Sequence, residues 1–120
     1  MSLLEDKFIE LWEMKFSHID LYREFVFAKS LGRKYRADFA SIEAKVIIEI
    51  QGGIYNKRAH GSITGIKKDC EKFFVIAQLG YLLFPLYPEM INLPNLQIIA
   101  DTIVARSGKN SYANIMKQIA

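Results

Sequence analysis

The chain contains one cysteine and three prolines in 120 residues, and none of its apolar runs is long. A single cysteine, Cys70, cannot form an internal disulfide or a cysteine-based metal site by itself, which is typical of proteins from a reducing compartment. No run approaches the roughly 20 apolar residues that span a bilayer, and the first residues lack the positive region of a signal peptide. We therefore expect a cytoplasmic protein without membrane contact, and we expect Cys70 to be a small core residue.

Blocks of like charge and internal repeats are also missing from the sequence, which argues against a disordered chain. The composition, 51% hydrophobic and 24% charged, is that of a globular domain, and the length is close to the commonest size for one domain. We expect a single domain over residues 1–106 and a tail with helical character over 107–120. The net charge of +3 fits a polyanionic partner but is common among proteins that never contact nucleic acid.

The predicted elements follow the order helix, three strands, helix, strand, helix. Ser2 and Glu5 have the spacing of a capping box, and the apolar residues after them recur at helical spacing. Runs of β-branched and aromatic residues indicate strands. The predicted helices cover 3–16, 64–79 and 95–106, and the predicted strands cover 24–28, 35–41, 45–51 and 81–86. The helix at 64–79 is expected to cross over between parallel strands and to bury an apolar stripe, namely Ile66, Cys70, Phe73, Phe74 and Ala77.

The second and third strands are close enough in sequence to form a hairpin. If its turn is centred between Glu43 and Ala44, then Phe39 faces Ile48 and Asp38 faces Glu49. Since side chains alternate along a strand, one face of the hairpin is expected to be apolar and the other to carry the polar residues. The apolar set is Ala37, Phe39, Val46, Ile48 and Ile50. The polar set is Arg36, Asp38, Glu49 and Gln51.

Asp38 and Glu49 would place two carboxylates about 5 Å apart across the hairpin. Their repulsion is on the order of 3 kcal/mol at an effective dielectric near 20. Protonation of one acid, a divalent cation between them, or pairing with Arg36, Lys45 or another cation would relieve it. We favour a cation, because Mg²⁺ and Mn²⁺ prefer oxygen ligands, and a metal so placed could promote hydrolysis of a phosphodiester.

The same residues resemble a known family. Asp38, followed after ten residues by Glu49-Ile50-Gln51, resembles the D-x(n)-E-x-K signature of the PD-(D/E)XK nucleases, with glutamine at the usual lysine position. Over roughly residues 5–86, the order of motifs resembles small phage-associated and very-short-patch-repair-like endonucleases. The motifs are RKYRADFA at 33–40, EIQGG at 49–53, HG at 60–61, DCEK at 69–72 and LGY at 79–81.

This resemblance implies a restriction-endonuclease-like α/β (α+β) core with a mixed sheet flanked by helices, in a bacterial or phage-encoded protein. It also implies that Asp38, Glu49 and the carbonyl of Ile50 bind Mg²⁺, for which Mn²⁺ could substitute. Gln51, in the position of a catalytic lysine, has no charge, so the positive charge must come from the metal or another residue. The candidates for that charge are His60, Lys68 and Lys72.

Other residues are candidates for the same site. Glu5 resembles the acid that many of these nucleases carry on the first helix, although the capping box accounts for it equally well. His60, in the glycine-rich polar loop at 51–65, is a candidate general base or phosphate contact, or else a turn residue. The cations expected to contact DNA phosphates, unless they are merely solvated, are Arg33, Lys34, Arg36, Lys57, Arg58 and Lys68.

These features favour a metal-dependent endonuclease that hydrolyses DNA, and a homodimer would suit cleavage of two strands. A second hypothesis is a catalytically inactive nuclease-fold module that binds nucleic acid or takes part in assembly, because Gln51 replaces the lysine. Within the enzyme class, a Holliday-junction resolvase and a homing endonuclease both stay open.

Overall fold

A computed structural model describes residues 2–52 and 63–108 of the chain. Within these residues, three α-helices and four strands follow the order α1, β1, β2, β3, α2, β4, α3. The helices are α1 (Leu3–Phe16), α2 (Ile63–Gln78) and α3 (Leu93–Gly108). The strands are β1 (Tyr22–Val26), β2 (Arg36–Ser41), β3 (Val46–Ile50) and β4 (Leu82–Leu86). None of the helices in the described ranges is long and apolar enough to cross a membrane.

The strands form one mixed sheet in the order β1-β2-β3-β4. β1, β2 and β3 are antiparallel neighbours, whereas β4 runs parallel to β3. A parallel neighbour requires a crossover connection, and α2 lies in the crossover between β3 and β4. The predicted α+β architecture, with a mixed sheet and flanking helices, is therefore confirmed.

Helix α1 begins with the predicted capping box. The Ser2 hydroxyl accepts from the Glu5 backbone N–H at 3.1 Å, and the Glu5 carboxylate accepts from the Ser2 N–H at 3.4 Å. These contacts satisfy two backbone donors that a helix start leaves without partners, and the helix has the predicted bounds. Phe8, Trp12 and Phe16, spaced four residues apart, are its buried face.

The hairpin of β2 and β3 has the predicted register. Phe39 pairs with Ile48, and Ala40 pairs with Ile47. In the turn, Lys45 has a φ of 54°, and the Ser41 hydroxyl accepts from the Ala44 N–H at 3.3 Å. The register therefore follows from a short turn between two apolar strands.

Both faces of the sheet are covered, and the prediction of one apolar face is wrong. One buried cluster joins α1 and α3 to the sheet through Phe39 and Ile48. A second joins α2 to the other face through Ala37, Ala40 and Ile47. The parallel pairing of β3 is the physical reason, since parallel strands are usually buried on both sides and have continuous rather than alternating apolar runs. Ala37, predicted on the Phe39 side, packs on the α2 side.

The predicted buried stripe of α2 is correct only at Phe73, which packs partly buried against the cluster on this face. Val75 and Ile76 are the buried residues of this helix, whereas Phe74 is 73% exposed and Ile66 is 52% exposed. Cys70 is exposed as well, so it is not a core residue. The helix has apolar residues on two faces, and helical periodicity alone does not determine which of them contacts the sheet.

Smaller differences concern the ends of elements. β1 begins and ends two residues before the predicted strand, and α3 extends two residues beyond each predicted end. Pro85 lies inside β4 rather than ending it, which is tolerated because β4 is an edge strand. The tail predicted at 107–120 lies, from residue 109 onward, outside the described residues.

Candidate functional site

Asp38 and Glu49 lie on adjacent strands, in the first half of β2 and near the end of β3, and Lys72 of α2 contacts Glu49. The carboxyl ends of the parallel strands β3 and β4 meet at this edge, where α/β sheets commonly bind ligands. The first turn of α1 is close by, because a Cβ at Gly52 would come within 2.8 Å of Leu4 Cδ1.

The Asp38 carboxylate is held by the backbone of the neighbouring strand. Its Oδ2 accepts from the Ile50 N–H at 2.7 Å, just beyond the last backbone pair of this ladder, Phe39 with Ile48. Burial raises the pKa of Asp38, and the negative charges of Glu5 and Glu24 raise it further. The Ile50 N–H and Lys72 oppose this rise in the pKa, because both stabilise the ionised carboxylate.

Glu49 forms an ion pair with α2. Its Oε1 lies 2.7 Å from Lys72 Nζ, and only 8% of the Glu49 side chain is exposed, against 21% for Lys72. Burial raises the pKa of Glu49 to about 7, and the charge of Asp38 contributes to the rise. Lys72 and the backbone N–H of Asp38 act in the opposite direction on this pKa. The charge of Asp38 is thus close enough to affect the ionisation of Glu49.

The sequence left open what relieves the repulsion between these acids, and the structure places Lys72 beside them. The two cations named as possible partners lie elsewhere: Arg36 pairs with Glu24 at 3.0 Å, and Lys45 donates to the Leu79 carbonyl at 3.1 Å. Lys72 was predicted outside the buried stripe, so its inward position follows from the corrected orientation of α2. One ammonium beside Asp38 and Glu49, with Glu5 acting on Asp38, leaves an excess of negative charge.

The donor set fits a hard divalent cation in part. Glu49 Oε1 is already held by the Lys72 ammonium at 2.7 Å, so a divalent cation bound to this oxygen would share it with Lys72. Two carboxylates and the Ile50 carbonyl would supply the oxygen ligands that Mg²⁺ prefers, and water and phosphate oxygens would complete the shell. Within residues 2–52 and 63–108, no three His, Cys, Asp or Glu side chains are grouped for metal binding.

Other predicted site residues have different positions. The capping-box interpretation of Glu5 is confirmed, although its charge still acts on Asp38. Gln51 follows β3 directly, and its backbone N–H donates to the Leu86 carbonyl at 2.7 Å. Lys68 is exposed on α2. His60, Lys57 and Arg58 lie outside the described residues.

The remaining predicted DNA contacts are exposed cations. Arg33 lies over the Tyr35 ring, 4.6 Å from its centroid, and pairs with Glu71 at 3.6 Å. Lys34 is exposed beside it, and Arg36 is held by Glu24. In these contacts, none of the three cations comes as close to Asp38 or Glu49 as Lys72 does.

Glu24, which lies opposite Asp38 in β1, was not among the predicted site residues. The ladder pairs Arg23 with Phe39 and Phe25 with Ala37, and between them Glu24 has a φ of 53°. A non-glycine residue in this left-handed region costs roughly 1–2 kcal/mol, and such strain clusters at functional sites. A register for the first two strands would have placed Glu24 beside Asp38, but the sequence signal for that register was weak.

The raised pKa of Glu49 predicts a specific dependence of stability on pH. The folded protein holds the Glu49 proton up to about pH 7, whereas the ordinary value is 4.5. The folded state therefore binds more protons between these values, so this stabilisation is complete below pH 4.5 and is lost as pH rises through 7. The loss is about 3 kcal/mol. In metal-free buffer, denaturant unfolding of wild type should show it between pH 5 and 8, and Glu49→Gln should not.

Glu13→Gln, which changes an exposed acid on α1, is the matched control and should follow the wild-type profile. Equal pH profiles for wild type and Glu49→Gln would contradict the assignment of a buried, proton-holding Glu49.

Comparisons with protein-family models, with curated proteins and with solved structures gave no match to this chain.

Proposed function

We propose that the protein is a divalent-metal-dependent endonuclease of the PD-(D/E)XK type that hydrolyses DNA phosphodiester bonds. The observation that carries this proposal is the cluster of Asp38, Glu49 and Lys72, with Glu49 Oε1 2.7 Å from Lys72 Nζ. The two acids could hold a divalent cation, and the nearby lysine could stabilise negative charge on a phosphate, which suits metal-assisted phosphodiester hydrolysis.

The topology supports the proposal independently of the site. A helix, three antiparallel strands, a crossover helix and a strand parallel to β3 occur in the order that the family resemblance implies. This order puts Asp38 and Glu49 on adjacent strands, and α2 brings Lys72 into contact with Glu49.

In this proposal, Asp38 and Glu49 bind the cation together with the Ile50 carbonyl. When bound, Mg²⁺ supplies Lewis-acid polarisation of the scissile phosphate and neutralises part of its charge. The Ile50 N–H fixes the direction of the Asp38 carboxylate, so this ligand needs little reorganisation. Because the pKa of Glu49 is about 7, a cation competes there with a proton, and binding should release that proton.

Lys72 has the role that the family gives to the lysine of the E-x-K motif. Gln51 stands at that sequence position and has only neutral hydrogen-bonding groups. The Lys72 ammonium reaches the same carboxylate from α2, where it can orient the attacking water and stabilise negative charge that develops on the phosphate. The charge is thus supplied from a helix instead of from β3.

The first test is cleavage of supercoiled plasmid and of branched DNA with Mg²⁺ or Mn²⁺. Asp38→Ala and Glu49→Ala should each lower the rate by at least about 10²-fold, because each removes a metal ligand. Glu43→Ala, which changes an exposed acid in the turn of the same hairpin, should retain wild-type activity. Cleavage that persists in both ligand variants would rule out this site.

The second test concerns Lys72. Lys72→Ala should lower the cleavage rate by about 10²–10³-fold, as expected for loss of a charge that stabilises the transition state. Adding Gln51→Lys to this variant should restore part of the rate. A lysine at position 51 would bring an ammonium toward the Glu49 carboxylate from the end of β3 instead of from α2. Lys68→Ala, an exposed lysine one turn earlier on α2, is the matched control. Failure of rescue, with full folding by circular dichroism, would contradict the proposed exchange of positions.

A second candidate function is a catalytically inactive nuclease-fold module that binds nucleic acid. The observation that favours it is the ion pair itself, since Lys72 partly neutralises Glu49 without any metal. Such a module would bind DNA in the presence of EDTA, and its affinity would fall steeply with salt. Asp38→Ala would leave that affinity unchanged. Metal-dependent cleavage distinguishes the two candidates.

A further inference from the structure

Helix α2 has a second apolar face that does not contact the sheet. We name it the α2 outer stripe, and its residues are Ile63, Ile66, Cys70, Phe74 and Ala77. All five are exposed, with Ile63 and Phe74 exposed by 74% and 73%. Successive helical residues are rotated by about 100°, so these five residues lie within about 40° of a line drawn along the helix surface through Cys70. The buried Val75 and Ile76 are on the opposite side of the helix. A helix with apolar residues on both faces is usually covered on both faces.

The α2 outer stripe is symmetric about its centre. Ile63 and Ala77 lie seven residues to either side of Cys70, and Ile66 and Phe74 lie four residues to either side. Two copies of α2, antiparallel around a two-fold axis at Cys70, would therefore set Ile66 against Phe74 and Ile63 against Ala77. A two-fold interface requires such self-complementarity, because the same surface contacts itself.

The charges beside the α2 outer stripe are also self-complementary. Lys67 and Glu71 lie on the same flank, and both are exposed. A two-fold axis brings this flank against the same flank of the second copy, so Lys67 of each copy comes near Glu71 of the other. Glu71 also pairs with Arg33 at 3.6 Å, a long and exposed contact that leaves its carboxylate able to turn outward.

We propose that the α2 outer stripe is the interface of an antiparallel, two-fold homodimer centred on Cys70. The length of the stripe favours a second copy of the chain as the partner. The stripe runs along a helix of 16 residues, and α2 of a second copy has the same length. A single helix pair buries less than the roughly 1,200 Å² typical of stable interfaces, so the dimer dissociates on dilution. The interface leaves the opposite side of α2, with Lys72, in contact with Glu49.

The experiment is sedimentation equilibrium of the full chain, under reducing conditions, from about 2 to 500 µM, the range in which small interfaces associate. Wild type should pass from monomer to dimer, with no larger species because a two-fold interface closes on itself. Phe74→Asp should weaken association by at least tenfold. Ile98→Asp, at an exposed apolar residue of α3 that is 57% exposed, is the matched control and should associate as wild type.

A charge exchange tests the register. Lys67→Glu and Glu71→Lys should each weaken association, because each places like charges across the two-fold axis. The double variant should restore it, since attraction returns with the signs reversed. A merely sticky apolar surface would not show this restoration.

Cys70, the single cysteine of the chain, reports the position of the axis. Copper-phenanthroline oxidation should join two Cys70 thiols of the wild type, which give up two protons and two electrons to the oxidant, into a disulfide-linked dimer. Phe74→Asp should prevent the cross-link. A monomer at the highest concentration, association unchanged in Phe74→Asp, or a double charge variant as weak as the single ones would overturn the proposal. These readouts do not depend on DNA cleavage.

Discussion

The contact between Glu49 Oε1 and Lys72 Nζ, 2.7 Å long and largely removed from solvent, connects the central strand β3 to the crossover helix α2. Burial of a carboxylate carries a desolvation penalty of several kcal/mol, which Lys72 reduces but does not remove, because the pKa of Glu49 is still raised to about 7. The same contact requires the Lys72 face of α2 to point toward the sheet. The orientation of the helix, the exposure of its opposite apolar face and the chemistry of the sheet edge therefore share one physical constraint.

Several features of the residues around this ion pair lower the stability of the fold. The pKa of Glu49 is raised to about 7, the pKa of Asp38 is also raised, and Glu24 has a left-handed backbone opposite Asp38. A sheet edge built only for stability would have apolar residues in these positions, because replacing a buried ion pair with well-packed apolar residues is often neutral or stabilising. The concentration of perturbed acids and strain at one edge is typical of a functional site.

The sequence predicted more of the framework than of the site. Local signals were sufficient for α1, whose capping box determines its start, and for the hairpin, whose register follows from a short turn between two apolar strands. The orientation of α2 could not be predicted, because both of its faces have apolar residues and only packing against Ile47 and Ala40 decides between them. Lys72 was named only as one of three sources of charge, and its contact with Glu49 depends on that orientation. Glu24 was missed because its strand has a weak pattern.

The central claim, that Asp38 and Glu49 together bind a divalent cation, is tested most directly by calorimetric titration of the protein with Mn²⁺ at pH 6 and pH 8. We expect one ion to bind, more tightly at pH 8 because less of Glu49 is then protonated, with proton release at pH 6. Binding should be lost in Asp38→Asn and in Glu49→Gln. Absence of binding at both pH values, or binding that survives both substitutions, would contradict the claim.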